Sequence, residues 1–111
     1  MTGNEYQKLA MRTSNSDLTN IGHLINGALG MCGESGEAAD IIKKFQMQGH
    51  SLDSEHLAFE LGDVMWYIAE TATALGYELD TIMKMNIEKL RKRYPDEFEA
   101  ERSLHREEGD I

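Results

Sequence analysis

Apolar residues recur in this chain at helical spacing and nowhere alternate as in a strand. A short amphipathic piece is predicted from about Glu5 to Thr13, followed by a polar loop from Ser14 to Asn20. Apolar pairs then recur at Leu24/Ile25, Ala28/Leu29, Met31/Cys32, Ala38/Ala39 and Ile41/Ile42, ending at Phe45. That spacing predicts a long second helix, which Gln48-Gly49-His50-Ser51 terminates. Asp53 or Ser54 is placed to cap a third helix, which runs to about Leu75 with Gly76 as its natural stop. A fourth runs from about Leu79 to Arg93 and ends before Tyr94-Pro95. The charged tail from Asp96 to Ile111 is either a short helix around Phe98 to Leu104 or ordered only by a partner. The expectation is a single all-α domain over 1–111, a helical bundle with its core over about 20–95.

Within the second helix Gly27, Gly30, Gly33 and Gly36 fall every three residues. Each costs about 1 kcal/mol against alanine in a helix interior. Three readings stay open: close approach of a neighbouring helix, room for a ligand beside the backbone, or a break near Gly33.

Acidic pairs at i,i+3 are no commoner than chance in a chain with 20 Asp and Glu among 111 residues. Position on the helix is what discriminates. With Met31 at zero on a wheel of about 100° per residue, Ala38, Ile41, Ile42 and Phe45 lie between roughly −80° and +20°. Glu34 falls inside that arc at about −60° and Glu37 on its edge at about −120°, whereas Asp40 lies opposite. On the third helix Glu60, Asp63 and Tyr67 form a polar stripe between a broad apolar face (Leu57, Leu61, Val64, Met65, Ile68, Ala72, Leu75) and the pair Phe59 and Trp66. Trp66 is therefore expected in the core or at a dimer interface.

Four inward-facing carboxylates repel one another. They are relieved by proton sharing or pairing with Lys and Arg, such as Lys43, Lys44 and Lys89, or by a divalent cation such as Mg²⁺ or Mn²⁺; the bland alternative is a solvated face. On the fourth helix Asn86 falls within roughly 60° of Leu79, Ile82, Met83 and Leu90, flanked by Lys89 and Arg93. It is either a buried amide satisfied by backbone or part of a polar site with those two cations. His23, His50, His56 and His105 show no metal-ligand spacing and are expected on the surface or in loops.

The net charge is −9 and the pI about 4.8. Such a surface repels phosphate backbones and anionic lipid, so no nucleic-acid duplex and no membrane is expected as partner. The single cysteine, Cys32, excludes an internal disulfide. With no apolar span and no secretory signal, a cytoplasmic location is expected.

The segments Gly33-Glu34-Ser35-Gly36-Glu37-Ala38-Ala39-Asp40 and Glu60-Leu61-Gly62-Asp63-Val64-Met65-Trp66-Tyr67 read as E-x-x-E, a spacer, then E-x-x-D. With the run from Asn86 to Pro95, they resemble the MazG-like nucleotide pyrophosphohydrolases over about residues 22 to 98. The resemblance implies a four-helix, MazG-like bundle working as a homodimer or homotetramer. It implies hydrolysis of a nucleoside triphosphate to the monophosphate and pyrophosphate. Glu34, Glu37, Glu60 and Asp63 would then bind Mg²⁺, with Glu37 orienting or deprotonating the attacking water. Lys89 and Arg93 would hold phosphates, Asn86 would touch sugar or base, and Tyr67 would border the nucleoside. Asp96-Glu97-Phe98 departs from the glycine-containing turn of that family. Two other readings stand beside it: a catalytically silent helical dimer acting as an interaction module, and a phosphoribosyl-ATP pyrophosphohydrolase.

Overall fold

The structure is a computed structural model describing residues 1–111. Five α-helices account for its order, without a strand: α1 (Gly3–Ala10), α2 (Asn20–Met47), α3 (Ser54–Leu75), α4 (Leu79–Arg93) and α5 (Ala100–Leu104). α1 runs on into a 3₁₀ turn over Met11–Thr13. The helix ends follow local chemistry. The Thr2, Thr19 and Asp53 side chains accept from the amides of Glu5, Gly22 and His56. Gly76, at φ 79°, supplies the left-handed stop after α3. α2 is continuous through all five of its glycines, so the break considered near Gly33 is absent.

α2 and α3 form an antiparallel hairpin. The register is set by Asn20 Nδ2 donating to the Ala74 carbonyl, His23 and Asn26 meeting Glu70, and Gly27 and Gly30 lying against Thr71 and Tyr67. α1 packs on α3, where Ala10, Ala69 and Ala72 are buried with Leu79 of α4, backed by Tyr6, Met11, Trp66 and Ile82. Trp66 is thus a core residue. Its Nε1 donates to the Ala10 carbonyl and to Thr13 Oγ1, both at 3.0 Å, which ties the 3₁₀ turn to α3.

α4 has no side-chain cap of its own. α1 provides one instead: Leu79 N donates to Gln7 Oε1 at 2.8 Å, and Asp80 N to Asn4 Oδ1 at 2.9 Å. Beyond its first turns α4 exposes Met83, Met85, Ile87 and Leu90. Asn86 is exposed with them, which corrects the expectation of a buried amide: a wheel gives the face of a helix, but not whether a partner covers it. The outer face of the hairpin likewise exposes Ile21, Ile25, Leu29, Leu61 and Met65. No helix is long and apolar enough to cross a membrane.

Candidate metal centre

The four regularly spaced glycines of α2, Gly27 to Gly36, divide into two pairs along the helix. A Cβ at Gly27 would run into Thr71 Oγ1, and one at Gly30 would lie 2.5 Å from Cζ of Tyr67. These two glycines let α3 approach closely. Gly33 and Gly36 have nothing within 4 Å of the corresponding point. They face a cavity of about 810 Å³ that is also lined by Glu37, His50, His56 and Glu60. Close helix approach thus accounts for Gly27 and Gly30, while Gly33 and Gly36 border open space.

Glu34 and Glu37 on α2 meet Glu60 on α3 beside this cavity. One carboxylate oxygen from each lies within 4.8 Å of the other two. Glu60 is only 6% exposed. Glu34 Oε2 and Glu60 Oε2 are both buried without a hydrogen-bond partner. A buried, unpaired carboxylate oxygen is costly, and carboxylates in contact cannot all ionise cheaply. The Glu34 carboxyl is accordingly raised above its ordinary pKa. The main cause is its contact with the Glu60 carboxyl, with burial and the charges of Glu60 and Asp63 adding to it, against an opposing hydrogen bond from Glu37.

Lysine does not relieve this cluster. Lys43 and Lys44 both turn to Asp40, at 3.2 and 2.9 Å, and hold that carboxyl below its usual range. Asp63 is exposed and stands outside the close trio. Its charge reaches Glu34 and also the Tyr6 hydroxyl, whose pKa is raised first by burial and then by Asp63. A compact set of hard oxygen donors with unfilled lone pairs fits a hard divalent cation and suits no soft metal.

The other expected site residues lie elsewhere in the single chain. The Tyr67 ring covers Gly30 and meets Trp66 edge-on, with centroids 5.2 Å apart. Lys89 and Arg93 line a second cavity, of about 460 Å³, between α4 and the tail. Arg93 is engaged there by Asp110.

One histidine departs from the expectation of surface or loop positions, and a second, on the surface as expected, meets the carboxylate cluster. His56, in the first turn of α3, places Nε2 3.1 Å from Glu60 Oε1 at the rim of the carboxylate cavity. Its i,i+4 spacing to Glu60 was the available signal. His23 is half-buried on α2, with Nδ1 2.8 Å from Oε2 of Glu70. Glu70 is 1% exposed, and its other oxygen accepts from Asn26 Nδ2 at 2.9 Å. No local pattern announces that group, because 47 residues separate the His23 and Glu70 positions.

Comparison with known proteins places this geometry in a family. The chain is 38% identical over 69 residues to the Gene 37 protein of Mycobacterium phage L5, a match covering 59% of this chain and 60% of that protein. The match thus spans less than two thirds of the relative's length. No solved structure matches the chain. The MazG nucleotide pyrophosphohydrolase domain matches residues 26–98, a span that holds Glu34, Glu37, Glu60 and Asp63 and more than half of the sequence. The chain belongs to the MazG nucleotide pyrophosphohydrolase domain family.

Proposed function

We propose that the protein hydrolyses nucleoside triphosphates, either deoxynucleotides or non-canonical nucleotides of the cytoplasmic pool, to the monophosphate and pyrophosphate. The observation that carries this reading is the pair of buried, partnerless oxygens on Glu34 and Glu60 beside an open cavity. Glu34, Glu37, Glu60 and Asp63 would hold Mg²⁺, or Mn²⁺ in its place. The ion supplies charge neutralisation of the triphosphate and of the departing pyrophosphate. Glu37, exposed toward the cavity, orients a water and takes its proton as the water oxygen bonds to the α-phosphorus. The bond from that phosphorus to the bridging oxygen breaks, and its electron pair leaves with pyrophosphate. Gly33 and Gly36 keep the wall of the cavity low enough for phosphates to approach the backbone.

We further propose that the working unit is a homodimer or homotetramer. A compact monomer of 12.5 kDa exposes about 6,200 Å², whereas this chain exposes 8373 Å². Its radius of gyration is 17.0 Å, against about 13 Å for a compact domain of this length. The excess surface is apolar along Ile21, Ile25 and Leu29 of α2 and Leu61 and Met65 of α3, where a second copy would complete a four-helix bundle. Asn86, Lys89 and Arg93 then act on substrate from an α4 brought in by assembly, and Tyr67 acts by holding the α2–α3 spacing beside the nucleoside.

Pyrophosphate release from a panel of deoxynucleoside, nucleoside and modified triphosphates tests the reaction, with Mg²⁺ and with EDTA. Metal-dependent release with the monophosphate as co-product is expected, lost in Glu37→Gln. Silence across the panel, with the fold and assembly intact, would overturn the reading in favour of an interaction module or of a phosphoribosyl-ATP pyrophosphohydrolase.

A further inference from the structure

The tail folds back on α4 and builds a second charged site. Five of the chain's eleven Lys and Arg residues, Lys89, Lys92, Arg93, Arg102 and Arg106, line the cavity between them. That concentration stands out in a chain of net charge −9. Asp110 sits in the middle of it. Its two carboxylate oxygens accept from Arg93 Nε and Nη2 at 2.9 and 2.7 Å. Nη2 also donates to the Ile111 carbonyl at 3.3 Å. Both side chains of the pair are nearly buried, 10% and 12% exposed. Arg93 holds the Asp110 carboxyl below its usual range, and the charges of Arg106 and Lys89 act in the same sense.

A two-pronged guanidinium contact of this kind recognises carboxylate and phosphate by the same geometry. Five cations face four carboxylates there, and Arg102 also pairs with Glu99 at 3.4 Å, which leaves Lys89, Lys92 and Arg106 without an ion-pair partner. The acids of the cavity other than Asp110, namely Glu88, Glu107 and Glu108, have no ion pair with them.

We propose that this cavity is a phosphoryl-oxyanion site and that Asp110 is its resident occupant, a tethered competitor that a phosphate-bearing ligand must displace from Arg93. The ligand is either the polyphosphate of the substrate or a separate phosphorylated effector. The first alternative rests on the function proposed above, with Arg93 as a phosphate-holding group.

The test is calorimetric titration of the full chain with pyrophosphate in EDTA, which needs neither catalysis nor metal. Asp110→Asn is expected to bind pyrophosphate at least about tenfold more tightly than the unaltered chain, because it removes the competing anion and keeps the side-chain shape. Asp110→Ala should act in the same direction. Glu107→Gln makes the same change of charge in the same cavity without touching Arg93, and should leave the affinity near its starting value. Arg93→Gln combined with Asp110→Asn should lose the gain. Equal effects of Asp110→Asn and Glu107→Gln would overturn the proposal, as would a gain that survives loss of Arg93. A lower KM for the triphosphate in Asp110→Asn identifies the substrate as the displacing ligand, and an unchanged KM identifies an effector. A chain that hydrolyses nothing would refute the function above and leave the calorimetric comparison intact.

Discussion

Alanine at Gly30 and alanine at Gly33 are the same chemical change one turn apart, and they should move stability in opposite directions. Either substitution removes the helix-interior cost of glycine, a gain of about 1 kcal/mol. At Gly33 nothing lies within 4 Å of the new methyl, so that gain is realised in full. At Gly30 the methyl would sit 2.5 Å from Cζ of Tyr67, and ordinary carbon contacts are about 3.5–4.0 Å. The ring must move by an ångström or more. It is braced edge-on by Trp66, which two hydrogen bonds fix to α1. Overpacking of this kind costs about 1–3 kcal/mol. Set against the propensity gain, the net is a loss of about 1 kcal/mol, and the two variants should differ by about 2 kcal/mol. Urea unfolding followed by circular dichroism, at matched protein concentration, measures the difference as a shift in midpoint of about 1 M or more at unchanged slope. Midpoints that rise together would refute the close approach of α3 at Gly30. A fall at Gly33 would refute the open wall of the cavity.

Three further outcomes follow from named contacts. Glu34 has a raised pKa in the fold, so its contribution to stability is full below the unfolded value and is lost as pH rises through the folded one. In EDTA, Glu34→Gln should therefore raise Tm more at pH 8 than at pH 4, and millimolar Mg²⁺ should raise Tm in the unaltered chain but far less in the variant. A Tm difference that does not change with pH would sink that account. Trp66→Phe removes the donor to the Ala10 carbonyl and Thr13 Oγ1 and should cost about 2 kcal/mol in urea unfolding; a cost near zero would show that those bonds do not hold α1. Glu70→Ala strands His23 and Asn26 beside a buried hole and should cost about 3 kcal/mol, while the exposed Glu101→Ala stays near zero.

Helix boundaries were legible because their signals are local. Asp53 caps what it precedes, Gly76 adopts the conformation other residues avoid, and the Tyr94-Pro95 step ends α4 where expected. The carboxylate trio was legible for a related reason: a wheel places Glu34 inside the apolar arc and Glu37 on its edge, and the hairpin brings Glu60 to them. The wheel could not separate Asp63 from Glu60, because one turn of α3 decides which of them α2 covers. Nor could it assign partners across the hairpin. Gly30 against Tyr67 and His23 against Glu70 depend on the register of two helices. Asn86 shows the converse limit. Of its apolar neighbours on α4, Leu79 and Ile82 are covered by the core, yet within one chain Met83 and Leu90 are left exposed beside it.

The capping of α4 by Asn4 and Gln7 also bears on the order in which the fold can assemble. The two amides that open α4 are satisfied by side chains 76 and 72 residues earlier in the chain. α2 and α3 can pair through contacts across a short connection, a fast local event, but α1 and α4 must close a loop that includes the whole hairpin. α1 can dock on α3 beforehand, through Trp66 and through Gln7 Nε2 donating to Thr73 Oγ1 and the Tyr77 carbonyl, but Asn4 Oδ1 and Gln7 Oε1 find their amides only when α4 arrives. The clasp between these two segments therefore closes only after the α2–α3 hairpin that it spans has formed.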